Sequence, residues 1–141
     1  MADTTELPRD KELALRVIPR PADVNIHGDI FGGWIMSHVD VAGAVVAARR
    51  ARGRIVTVAV NEFVFKEPVF VGDLLSFYSE IESVGTTSIA TRVEVYAQRS
   101  PEDIHVVKVT EARVTYVAVD EHGRKRPIPP AHGTPEVEDP S

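Results

Sequence analysis

Asp40 is the only formally charged residue between Phe31 and Ala48. Around it the chain reads GGWIMSHV and VAGAVVAA, small, apolar or neutral throughout. Burying an ionised carboxylate without partners costs roughly several kcal/mol, so a chain keeps one there when donors satisfy it or when it does chemistry. Asp40 therefore either accepts backbone N–H bonds from a neighbouring loop or serves as a general base or nucleophile.

The segment before it carries complementary chemistry. Asn25-Ile26-His27-Gly28-Asp29-Ile30-Phe31-Gly32-Gly33 runs into the start of a helical stretch. Glycines let backbone N–H groups approach a ligand, and the positive end of a helix favours negative charge. Gly32 and Gly33 therefore suit an oxyanion hole for acyl transfer. Asn25 adds a polar side chain to the same loop, and His27 an imidazole that can touch substrate. Asp40 stands well past Gly33, about 10 Å along a helix axis. That is too far for both to act on one acyl carbon. A second copy of the helix, packed antiparallel, brings one Asp40 to the other chain's loop, so the spacing points to a homodimer with shared sites.

These residues need a rigid carrier. Residues 33–50 are helical in length and rich in alanine; Arg49, Arg50 and Arg52 suit a C-terminal dipole, and Gly53 marks a stop. Gly33, Met36, Asp40, Gly43, Ala44 and Ala47 fall on one stripe by three-four spacing. The stripe is small enough for close approach, which puts Asp40 in a tight, poorly solvated place. Residues 12–18 alternate as a strand, with Leu13, Leu15 and Val17 on one face, and Pro19 and Pro21 stop it. Residues 22–32 read as an ordered loop. Strands over 54–66, 74–84, 87–98 and 104–119 follow, with Pro68 and Gly72-Asp73 making one turn and Gly85 a hairpin. The order β-α-β-β-β-β with short later loops implies antiparallel pairing. The expected class is α+β, one long helix wrapped by an antiparallel sheet.

The 141 residues fit one domain over 11–120. Residues 1–10 read as a flexible leader, and 121–141, with five of the ten prolines, as a mobile tail. A net charge of −5 argues against a nucleic-acid partner. The absence of cysteine removes thiolate nucleophiles and Cys-ligated metals, and leans toward a reducing, cytoplasmic setting. No apolar run follows a basic start, and the apolar stretch at 31–48 is too broken by glycine and polar residues to favour a membrane span. No histidine pair shows metal-ligand spacing, so no metal is expected. His38 sits about 200° round the helix from Asp40 and should face solvent or a subunit contact.

The run PADVNIHGDIFGGWIMSHVDVAGAV, followed by TVAVNEFVFKEPVFVGDLL, resembles the acyl-CoA thioesterases of the hotdog fold, the bacterial YciA type in particular. The resemblance covers roughly residues 11–120. It implies hydrolysis of an acyl-CoA thioester to free acid and coenzyme A, with no cofactor beyond the substrate's own CoA. It implies Asp40 as the catalytic carboxylate, Asn25 as the loop asparagine and Gly33 as the oxyanion amide, with Gly32 beside it. His27 stands where many relatives carry a second asparagine. The resemblance also implies paired chains forming one continuous sheet, and a hexamer built as a trimer of dimers. In relatives, the strand holding Thr57, Val58 and Ala59 lies beside the pantetheine arm. The basic cluster Arg124-Lys125-Arg126 is a candidate grip for the CoA phosphates. Two other readings stand beside this one: a hotdog dehydratase acting on hydroxyacyl thioesters, whose histidine motif is not found here, and a non-catalytic acyl-CoA-binding protein.

Overall fold

The computed structural model describes residues 5–100, 102 and 104–131. Its elements are β1 (Glu12–Val17), α1 (Gly32–Ala51), β2 (Ile55–Phe65), β3 (Leu74–Val84), β4 (Ser88–Arg99) and β5 (His105–Ala118). The expected order holds, and boundaries differ by a residue or two, as helix and strand ends do. The loop before α1 contains one short 3-10 turn, Pro21–Asp23.

All pairings are antiparallel, in the order β1-β3-β4-β5-β2. The short links from β3 to β4 and from β4 to β5 force neighbouring hairpins. The connections around α1 and through residues 66–73 carry the chain between the two sides of the sheet. This leaves β1 and β2 as the edges.

The core lies between α1 and one sheet face. Ile35, Val39, Ala42 and Val46 recur at three-four spacing on the buried side of α1, with Gly43 and Ala47 beside them. They meet Phe77, Val93, Val95, Val109, Val114 and Tyr116, all buried. Arg52 ends the helix in the left-handed region at φ 57°, and the next N–H, on Gly53, bonds the Ala48 carbonyl.

Both terminal segments make bonds to the rest of the fold. Thr5 donates its N–H to the Val106 carbonyl at 2.7 Å, so the leader is bonded to the sheet at that point. Beyond β5, Val119 pairs with Lys125, Ile128 N–H donates to Thr86 at 2.9 Å, and Arg50 donates to the Pro129 carbonyl at 2.7 Å. Prolines remove donors but leave carbonyls to accept, and Ile128 still packs on the core. Residues 1–4 and 132–141, parts of the expected leader and tail, lie outside the described residues. Among the described residues, no helix is long and apolar enough to cross a membrane.

Candidate active site

Asp40 borders the buried face of α1. Its Oδ1 accepts a hydrogen bond from Thr57 Oγ1 at 2.8 Å. Tyr116 Oη lies 2.6 Å from the Asp40 main-chain carbonyl and 3.1 Å from the same Oδ1. Thr57 and Tyr116 are partners in the β2–β5 register, so two adjacent strands aim two hydroxyls at one helix residue. Burial, then the Asp40 charge, pushes the Tyr116 phenol well above its ordinary range. The phenol therefore stays protonated at neutral pH and donates. Both side-chain bonds fall on Oδ1; Oδ2 takes neither.

Gly43 makes this approach possible. A Cβ there would lie 2.5 Å from Tyr116 Oη and 2.8 Å from Thr91 Oγ1. The stripe expected to seat Asp40 is buried only in its C-terminal half, at Gly43 and Ala47. Met36 is 41% exposed and Gly33 is exposed too. Asp40 is half-buried rather than enclosed.

The loop before α1 is fastened at several points. Val24 bridges Ile30, Ile30 N–H bonds the Val69 carbonyl at 2.9 Å, and Phe31 N–H bonds Asp23 at 3.0 Å. Asp23 in turn accepts from the Arg20 amide at 2.8 Å and from its guanidinium. Asn25 Oδ1 accepts from the N–H groups of His27 at 2.8 Å and Asp29 at 3.1 Å, an Asx-type turn. Its carbonyl is thus committed to the loop, and only its amide end is left to face a substrate.

Phe31 is the helix N-cap and supplies no side-chain cap. The first intrahelical donors are Trp34 and Ile35, both to the Phe31 carbonyl. The N–H groups of Gly32 and Gly33 precede them and belong to the donors a helix start leaves open. A Cβ on Gly32 would press on the Phe65 ring at 3.1 Å, whereas no atom of the described residues lies within 4 Å of one on Gly33. A cleft of about 350 Å³ opens here, lined by Asn25, Gly32, Ile35, Phe65, Lys66 and Val69 among others. It holds the helix start without Asp40. One chain therefore does not bring Asp40 together with Asn25 and Gly33.

The remaining sequence candidates scatter. Thr57 reaches Asp40; Val58 is exposed and Ala59 half-buried on the same edge strand. The basic cluster divides. Arg126 donates to the Val119 carbonyl at 3.0 Å and reaches that of Arg54 at 3.4 Å, so it fastens the chain past β5. Arg124 and Lys125 are exposed. His27 is exposed in the loop. His38 differs from its reading. It is half-buried, with its ring 4.1 Å from Trp34 and 5.9 Å from Phe77. Its Nδ1 donates to the Trp34 carbonyl at 2.8 Å, the natural reach of a residue one turn on. Among the described residues no three His, Asp or Glu side chains are grouped to hold a metal. Tyr116 was not legible in the sequence; it is one alternating residue of a long strand, and only the register reveals its partner.

A long helix wrapped by an antiparallel sheet, with one carboxylate held on it and an open glycine start, is the arrangement of hotdog-fold thioesterases. The chain belongs to the thioesterase superfamily, whose family model matches residues 27–104. The acyl-CoA thioester hydrolase YciA of Salmonella typhimurium is 48% identical over 120 residues, 84% of this chain and 90% of that protein. Among solved structures, Cj0915, a hexameric hotdog fold thioesterase of Campylobacter jejuni, superposes with a TM-score of 0.82 at 47% identity, over 86% of this chain and 93% of that one. HI0827, described as a hexameric broad specificity acyl-coenzyme A thioesterase, superposes with a TM-score of 0.82 at 43% identity, over 92% and 88% of the two chains.

Proposed function

We propose that this chain hydrolyses acyl-CoA thioesters to free acid and coenzyme A, with Asp40 as general base on water or as direct nucleophile. The observation that carries the reading is the Asp40 carboxylate, held through Oδ1 by Thr57 and Tyr116. A carboxylate oxygen left outside those bonds can take a proton from water or attack a carbonyl. The N–H of Gly33 stabilises the oxyanion that develops on the thioester oxygen, beside Gly32. The Asn25 amide orients the water or the carbonyl. As drawn, the reaction uses protein groups alone and no cofactor.

The two halves come from two chains. By helix rise, Asp40 and Gly33 of one chain are about 10 Å apart along the axis. Each site then pairs Asp40 of one chain with Gly33 of the partner subunit. The edge strand β2 leaves Val56, Val58 and Val64 exposed. Joining two β2 edges continues the sheet and covers these residues. Three such dimers make a hexamer, the state of the Campylobacter relative. The edge at Thr57, Val58 and Ala59 lies where backbone groups hold the pantetheine arm. Arg124 and Lys125 face the CoA phosphates, while Arg126 positions their turn and His27 borders the entrance. The reaction fits the cytoplasm, where CoA thioesters are made and used.

Thiol release measured over acyl-CoAs of rising chain length tests the reading. Asp40→Asn should fold normally and lose about 100-fold or more in kcat; a near-normal kcat overturns the assignment. In the same assay Arg124→Ala should raise KM for the CoA ester and leave KM unchanged for a thioester that lacks the nucleotide.

A further inference from the structure

We propose that Tyr116 is a positioning residue for the hydrolysis, acting with Thr57 to fix which oxygen of Asp40 reacts. The inference rests on the reading of Asp40 as the catalytic carboxylate.

The geometry of the crossing between α1 and β5 carries it. Tyr116 is 1% exposed, and its ring passes under Gly43, where a Cβ would meet the phenol oxygen at 2.5 Å. A ring so enclosed has one orientation, and its hydroxyl reaches Asp40 alone among its named partners. At 2.6 Å from the main-chain carbonyl and 3.1 Å from Oδ1, the single phenol proton is shared between an atom of the helix backbone and an atom of the carboxylate. The side chain is thereby tied to its own helix turn. Thr57 closes the arrangement from the neighbouring strand at 2.8 Å. Two donors on Oδ1 fix the carboxylate plane and leave Oδ2 as the reactive oxygen. Tyr116 is buried and the Thr57 hydroxyl is spent on Oδ1, so both hydroxyls act through Asp40.

The groups packed round the carboxylate are few. From β5 it meets the phenol of Tyr116, and from β2 the neutral hydroxyl of Thr57. On α1 itself, His38 is turned to Trp34 and Phe77.

The test is a kcat and KM series on the assembled protein with a short acyl-CoA. Tyr116→Phe keeps the ring in its slot and removes only the hydroxyl. It should lower kcat about ten-fold and leave KM within about two-fold. Thr57→Val should do the same more weakly, and Thr57→Ser should restore wild-type behaviour. A merely structural role would raise KM along with the fall in kcat. Wild-type kcat in Tyr116→Phe, or a loss of kcat matched by an equal rise in KM, overturns the proposal. Asp40→Asn separates the two failures: if it keeps its turnover, the reading of Asp40 itself falls; if it is inactive while Tyr116→Phe is normal, only the positioning role falls.

Discussion

Replacing Gly43 by alanine pits two effects of opposite sign against each other. In an unconstrained helix interior, Gly→Ala stabilises by about 1 kcal/mol. Here the added methyl would lie 2.5 Å from Tyr116 Oη and 2.8 Å from Thr91 Oγ1. Ordinary non-bonded contacts begin at about 3.5 Å, so something must give by about 1 Å. Neither neighbour gives easily. Thr91 is fully buried and donates to the Val114 carbonyl at 3.1 Å, and Tyr116 is 1% exposed. Overpacking of this kind costs about 1–3 kcal/mol. Pushing Tyr116 aside also loses its bond to Asp40, about 1 kcal/mol more.

The sum is a net loss of about 2 kcal/mol, with the propensity gain subtracted. For a chain of this size that corresponds to a fall of about 6 °C in Tm. The assay is thermal or urea unfolding at one fixed protomer concentration, since assembly shifts apparent stability by mass action. Thiol release on the same sample should fall in step, because the displaced phenol no longer holds Asp40. A variant that gains about 1 kcal/mol, as an open helix position would, refutes the close approach and with it the account of how Asp40 is seated.

The shared site can be tested by complementation. Mixing inactive Asp40→Asn with inactive Asn25→Ala protomers should regain about a quarter of wild-type activity, because half the dimers are mixed and one of their two sites is intact; no recovery after proven subunit exchange would place each site within one chain. Acid stability offers a separate check on the outer sheet face. Glu111 accepts from Lys108 and, at 3.2 Å, from Arg92. The Lys108 bond, outweighing burial, holds its carboxyl below the usual 4.5. A depressed carboxylate stabilises the fold fully above its unfolded value and loses that contribution as pH falls below it. Glu111→Gln should therefore flatten the decline of the urea midpoint below about pH 4.5; an unchanged slope would remove Glu111 from the acid response.

The elements were legible because periodicity is a local property. Alternation marked β1 and β5, and length and alanine content marked α1. Asp40 was legible for a similar reason, as a charge where its own neighbours carry none. What escaped depends on register. Tyr116 looks like any other inward residue of β5 until the β2–β5 pairing sets it opposite Thr57. Asn25 was legible as polar loop chemistry, but its carbonyl bonds His27 and Asp29 instead of facing substrate. An asparagine three residues before Gly28, with Asp29 next, was a signal for that turn. His38 was assigned by wheel position alone, which ignores that a ring one turn beyond Trp34 can fold back on it.

The small-residue stripe on α1 now has a more specific meaning than close packing. Its buried part begins at Gly43, one turn past Asp40, and the room it leaves is filled by a tyrosine whose hydroxyl returns to Asp40. The contact that lets the helix lie close to the sheet is therefore the same contact that orients the carboxylate. Its exposed part, at Gly33 and Met36, has the opposite use: none of the described residues covers it, which leaves the helix start open to a second subunit. A substitution in the buried part should affect stability and turnover together. One at the open start should affect turnover or assembly while the isolated fold stays intact.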